Sequence, residues 1–213
     1  MKSVVKISPL EVKSALDEIG LTKEEVLEAV YAAVGARRSC TANHPASAPG
    51  SMAYFEGVRR LREIAVPKGW EANRDGGIES IYAAHRKMKI VFCNADDGTG
   101  LPESMPQNWN KKGAMTNGAV CGNQLWLDGM DPENVIRLGK REGIITYFLF
   151  VYCEMNVMRA ELSLPSKIEK GFFQEFEERI ILLGAEGGDD PVRMKGVTPN
   201  AGPDFDISVA RKA

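Results

Sequence analysis

The 213-residue chain lacks most of the features that place a sequence in a functional class. Its four cysteines, at 40, 93, 121 and 153, form no CxxC pair, and neither His44 nor His85 stands at ligand spacing from them. A structural zinc site or a disulfide framework is therefore not expected, and no cofactor is predicted. No apolar run approaches the roughly 20 residues that cross a bilayer. Residues 1–11 lack the apolar core and cleavage site of a signal peptide. We expect a cytoplasmic protein with no membrane contact.

A strong charge of either sign is also missing. The formal net charge is −2 and the pI is about 5.8, with 44% hydrophobic and 26% charged residues. That composition is typical of a globular fold. Near-neutral charge argues against broad binding to phosphate backbones, so direct nucleic-acid binding is disfavoured, although a local basic patch stays open. The acidic surface could equally engage a basic protein.

The first third of the chain, residues 1–66, reads as helical. Capping boxes begin at Ser8 and Thr22, and Gly20 and Gly35 are expected to end the two helices that follow. Residues 39–50 hold two prolines and predict a loop. Ser51 is expected to cap a third helix, in which apolar residues recur at three-residue intervals: Met52, Phe55, Val58, Leu61 and Ile64.

The remainder, residues 67–213, reads as strands with helical insertions. Segments 78–83, 88–93 and 144–153 are strand candidates, and a turn at Met155-Asn156 returns the last of them into 157–164 as a hairpin. Segment 167–178 predicts a short amphipathic helix, and 180–183 and 205–209 predict further strands. The sequence thus predicts an α+β fold, with N-terminal helices followed by a mainly antiparallel sheet, the two regions forming one compact unit.

The segment Asp96 to Gly100 follows a strand and reads Asp-Asp-Gly-Thr-Gly. Similar turns hold metal and phosphate in sugar-kinase and actin-like ATPases, which need a second loop and a second domain. Aspartic proteases need a second copy of their turn, and a P-loop needs GxxxxGK[ST]; this chain has neither. The simpler interpretation is a solvated turn with glycines at positive φ.

A metal-dependent nuclease or phosphoryl-transfer enzyme would need carboxylates converging at strand ends. Asp96 and Asp97 are the leading candidates, with Asp75 and Glu161 as further ones. Glu161-Leu162-Ser163, however, carries serine where the restriction-enzyme-like signature has lysine. The competing interpretation of Glu161 is surface charge on the solvent side of a hairpin, because Arg159, Glu161 and Ser163 alternate with the apolar Ala160, Leu162 and Leu164.

Three tryptophans divide into two kinds. Trp70 and Trp126 have apolar or glycine neighbours and are expected in the core. Trp109 lies in a polar loop and either anchors that loop or is presented to a partner, where tryptophan is favoured. The predicted partner-binding residues are Trp109, Asn108, Lys111 and Lys112.

One resemblance covers residues 43–183. The order of Gly69-Trp70, the two strand segments 78–83 and 88–93, Asp96 to Gly100, and Lys111-Lys112-Gly113 leading to Asn123-Gln124 resembles small uncharacterised proteins of phages and other mobile elements. The resemblance implies a non-enzymatic accessory role, such as inhibition of a host defence complex in the manner of anti-CRISPR proteins. The expected partner is then a host protein or ribonucleoprotein complex. The enzyme that uses Asp96 and Asp97 is the alternative.

Overall fold

The computed structural model of the protein describes residues 3–113, 116–120, 123 and 143–184. Trp126, Gln124 and the predicted strand 205–209 lie outside these residues. Helices stand at the N-terminus and a seven-stranded mixed sheet follows, which confirms the predicted α+β class.

Three helices form the N-terminal region: α1 (Pro9–Ile19), α2 (Lys23–Arg38) and α3 (Ala48–Ala65). Both capping boxes are present, and Gly20, at φ 88°, ends α1 as predicted. The prediction that Gly35 ends α2 is wrong, because Gly35 is accommodated inside the helix. The third helix also begins before Ser51, since Pro49 is well suited to a first helical turn.

The sheet has the order β1-β7-β6-β5-β4-β3-β2. Its strands are β1 (Val4–Lys6), β2 (Glu71–Asn73), β3 (Ser80–Ala83), β4 (Met88–Asn94), β5 (Ile145–Glu154), β6 (Val157–Glu169) and β7 (Phe172–Leu183). Antiparallel pairs predominate, while β4 with β5 and β1 with β7 are parallel. The edge strands β1 and β2 have three residues each, too few to show a pattern in the sequence.

The predicted helix at 167–178 is wrong, because this segment forms the end of β6, a turn and the start of β7. Lys170 and Gly171 make the turn with positive φ. The cause of the error is irregular pairing: register shifts near Pro165 and Lys167 put Phe173 and Phe176 on the same side. A bulged strand thus gives the three-residue spacing of a helix.

The two sheet faces have different covers. The helices pack on one face, together with Phe92, Leu149, Leu162 and Ile180. The other face carries a smaller cluster that includes Phe148, Phe150, Phe173, Phe176 and Val120. Four of these phenylalanine rings lie 5.0–6.1 Å from one another, mostly edge to face.

Candidate functional site

Trp109 is both anchored and exposed. Its Nε1–H donates to the carbonyl of Ala95, directly after β4, and one part of the ring closes a small cavity that is also lined by α2 and β5 residues. The side chain is nevertheless 57% exposed. The structure thus shows that Trp109 anchors the loop through this hydrogen bond. Much of the ring surface also faces solvent, and its presentation to a partner stays a prediction.

The loop that carries Trp109 is fastened at its preceding residues. The amide of Asn108 donates to the carbonyls of Asn110 (2.7 Å) and Gly171 (2.9 Å), and Gln107 Nε2 donates to the Phe173 carbonyl (2.5 Å). Asn108 is buried, so in this structure it positions the loop and has no surface to offer a partner.

The loop is also fitted against the β6–β7 turn. The Lys112 amide donates to the Gly171 carbonyl at 2.9 Å. Gly171 has φ +86°, and a Cβ there would come 2.8 Å from the Lys112 carbonyl oxygen. Glycine is required on both counts, because the backbone conformation and the close approach each disfavour a side chain.

The two lysines after Trp109 differ in their surroundings. Lys111 is exposed, whereas Lys112 is half-buried beside the thiol of Cys93. Burial raises the pKa of the Cys93 thiol, and the Lys112 ammonium opposes that rise without cancelling it. The thiol is thus neutral and supplies no counter-charge to Lys112.

Trp109 separates two depressions in the surface. The first, here called the Trp109 groove, has a volume of about 540 Å³. Its lining comes from the end of α2, the start of α3, the end of β4 and the loop: Arg37, Ala46, Ser47, Pro49, Gly50, Ser51, Tyr54, Phe55, Phe92, Cys93, Asn94, Trp109, Asn110 and Lys112. The second, of about 700 Å³, is more open and includes Asp96, Glu169 and Lys170.

Sequence reasoning missed the contribution of α3 to this groove. Phe55 was placed on the apolar stripe of the helix, yet it is 60% exposed. A step of three residues turns an α-helix by about 300°, so an interval of three drifts about 60° from one face at every step. Val58 and Leu61 stay in the core, while Phe55 and Met52 rotate out of it. The three-residue spacing of the stripe was therefore the sequence signal that Phe55 and Met52 would leave the core.

The acidic glycine turn is not the solvated turn that the simpler interpretation predicts. Gly98, Thr99 and Gly100 are buried, and Asp97 is exposed. Asp96 Oδ1 accepts the amides of Gln107 (2.8 Å) and Gly98 (3.2 Å). The Asp96 carboxylate thus closes the two ends of its own loop.

Glu161 is fully buried, so its placement on the solvent side of the hairpin is wrong. It forms a two-pronged ion pair with Arg179, at 2.6 and 2.9 Å, and accepts from the Ser163 hydroxyl and the Gly100 amide. Arg179 also donates to the carbonyls of Leu101 (3.0 Å) and Ser104 (2.5 Å). The ion pair holds residues 100–104 against this face of the sheet. These residues cover the face that the alternation in β6 predicts to be exposed to solvent.

The four carboxylates of the enzyme hypothesis have separate surroundings. Asp75, in the turn between β2 and β3, pairs with Lys89 at 3.0 Å. Asp96 and Glu161 are bonded within their own networks, as described above. Among residues 3–113, 116–120, 123 and 143–184, no group of three or more His, Cys, Asp or Glu side chains is arranged to hold a metal ion.

Comparison with models of protein families, with curated proteins and with solved structures finds no significant match. The helices in the described part of the chain are too short or too polar to traverse a bilayer.

Proposed function

We propose that the protein is a non-enzymatic binding module that engages a macromolecular partner through Trp109 and the adjoining surface. The observation that carries the proposal is the combination of 57% exposure with a fixed orientation of the indole. Tryptophan is enriched among residues that dominate binding energy. An aromatic side chain that is already held in place loses little conformational entropy on association.

The surface beside Trp109 supports the same function. Phe55 exposes another aromatic ring along the Trp109 groove, and Lys111 and Lys112 add positive charge to the loop. Exposed aromatic side chains with cations at their margin have the composition of interface centres and rims. Asn108, buried beneath them, supplies the rigidity.

The proposed partner is a host protein or ribonucleoprotein complex, and the proposed effect is inhibition of a host defence complex. The support for this finer proposal is the resemblance of residues 43–183 to proteins of phages and mobile elements. We place the activity in the cytoplasm, where the unpaired thiols of Cys40, Cys93 and Cys153 would remain reduced.

Affinity capture with the full chain from host-cell lysate, compared between variants, tests the proposal. Trp109→Ala is expected to weaken capture of the co-purifying partner about 30-fold or more, the effect of losing a hot spot of about 2 kcal/mol. Leu10→Ala is the matched control, because Leu10 is 78% exposed on α1 and lies outside the groove lining. Thermal unfolding of both variants checks that the fold is retained. Equal capture by wild type and a folded Trp109→Ala variant would remove Trp109 from the interface.

A further inference from the structure

The Trp109 groove is positively charged on a protein that is negative overall. Among the described residues that line it, the charged side chains are those of Arg37 and Lys112. Within the described part of the chain Arg37 forms no ion pair, and Lys112 contacts the neutral Cys93 thiol. Two half-buried cations in one groove attract an anionic group more strongly than two fully exposed lysines do, because partial burial weakens screening by solvent.

The walls of the same groove are aromatic. Phe55 and Trp109 expose more than half of their surface, and Tyr54 packs edge to face against both Phe55 and Phe92. The volume of about 540 Å³ lies within the range of about 300–1,000 Å³ that ligand pockets occupy. An occupant that fits both features has an apolar or aromatic side chain next to carboxylates.

The geometry points to an acidic peptide segment of the partner as the occupant of the Trp109 groove. Its carboxylates pair with Arg37 and Lys112, and an aromatic or aliphatic side chain between them packs against Phe55 and Trp109. This inference rests on the proposed function and names the chemistry of the partner surface.

A nucleic-acid strand fits the same surroundings less well. A strand that left the groove past Trp109 would enter the second depression, where the carboxylates of Asp96 and Glu169 outnumber the Lys170 ammonium among the described lining residues. A negative backbone is disfavoured there, and a net charge of −2 adds no long-range attraction for phosphate. A short acidic segment needs only the local groove.

A displayed library of random peptides, selected against the full-length protein, tests the inference. We expect wild type to enrich sequences in which Asp or Glu flank an aromatic or large aliphatic residue. The charge-reversal variant Arg37→Glu/Lys112→Glu is expected to lose these sequences and to bind the selected peptides at least about tenfold more weakly. Lys13→Glu is the control, because the Lys13 side chain is exposed on α1, lies outside the groove lining and should leave affinity within about twofold at 0.15 M salt.

Three outcomes overturn the inference: enrichment of no peptide, enrichment of basic peptides, or equal loss of affinity in Lys13→Glu and the double variant. A single-stranded oligonucleotide that binds wild type while acidic peptides do not also overturns it. The proposed function can survive each of these results, because Trp109→Ala reports on capture of the intact partner. If the selected peptides bind but Trp109→Ala leaves partner capture unchanged, the groove has its ligand and the proposed function fails.

Discussion

The two faces of the sheet are held by different kinds of interaction. On the helix face, α1, α2 and α3 pack apolar side chains against β4 to β7, a contact that depends mainly on volume. On the opposite face, the loop that follows β4 is secured by the Glu161–Arg179 pair and by the amides of Gln107 and Asn108. Hydrogen bonds are directional, so this second arrangement sets where a loop lies as well as how tightly it is held.

The difference is consistent with the position of the proposed binding surface at the end of β4, where the two faces meet. The helix face supplies a rigid wall with Phe55 and Arg37, and the loop supplies Trp109 and Lys112. A loop held only by apolar contacts would have several arrangements of similar energy. The polar network selects one, which pre-orients the indole before any partner arrives.

Among variants that compare the two faces, removal of the buried Arg179 is expected to lower the free energy of unfolding the most. Arg179→Ala leaves Glu161 as an unpaired buried charge and takes the donor from the carbonyls of Leu101 and Ser104. Loss of one partner of a buried pair costs about 3–5 kcal/mol, which urea unfolding would measure as a lower free energy of unfolding.

Two further variants separate the cost of the unpaired charge from general fragility. Glu161→Leu combined with Arg179→Met replaces the pair with apolar groups and should recover much of the lost stability. Lys13→Ala breaks an exposed ion pair with Asp17 and should leave the unfolding midpoint unchanged. If Arg179→Ala behaves like Lys13→Ala, the network does not hold the loop-covered face.

The Glu161–Arg179 network is a part of the fold that the sequence did not predict. The helix caps at Ser8 and Thr22 and the strands of the β5–β6 hairpin were predictable, because local spacing specifies them. The alternation in β6 correctly put Glu161 on the face opposite Leu162. It carried no information on residues 98–104, which cover that face from about 60 positions away in the chain. Alternation assigns a residue to one face of a sheet, but it does not predict whether another segment of the chain packs over that face.

The helix face can be tested through the contact of α3 with β4. A Cβ at Gly57 would overlap the ring of Phe92, which is fully buried. Gly57→Ala is therefore expected to lower the free energy of unfolding by about 1–3 kcal/mol, the usual cost of overpacking. Gly35→Ala is the matched control, because nothing lies near its Cβ position and an alanine inside α2 should raise stability by about 0.5–1 kcal/mol. If denaturant unfolding shows a lower free energy of unfolding for Gly57→Ala and a higher one for Gly35→Ala, the close packing of α3 on β4 is supported. Equal changes in the two variants would contradict it.

For the candidate site, the sequence predicted the loop that carries Trp109 but not the helix residues that form the other side of the groove. Trp109 stands out because it is an aromatic residue in a polar segment, and Lys112 stands out as one of two cations that follow it. Arg37 and Phe55 belong to helices whose patterns looked complete, and only the three-dimensional meeting of α2, α3 and the loop brings them to one groove. Residues that are distant in sequence converge through long-range packing, which no local period encodes.

The smallest effect is expected where the loop meets the β6–β7 turn. Asn108→Ala removes the side-chain donors to the Asn110 and Gly171 carbonyls, while the Gly171 carbonyl keeps the Lys112 amide as a donor. The cost to global stability is therefore about 1 kcal/mol. Local stability is also expected to fall. The Lys112 amide donates to the same Gly171 carbonyl and should therefore exchange with solvent faster. Asn110→Ala keeps its backbone carbonyl and serves as control. Unchanged exchange at Lys112 in Asn108→Ala would show that the Asn108 side chain does not hold the loop against this turn, and the contrast between the two faces would be weakened.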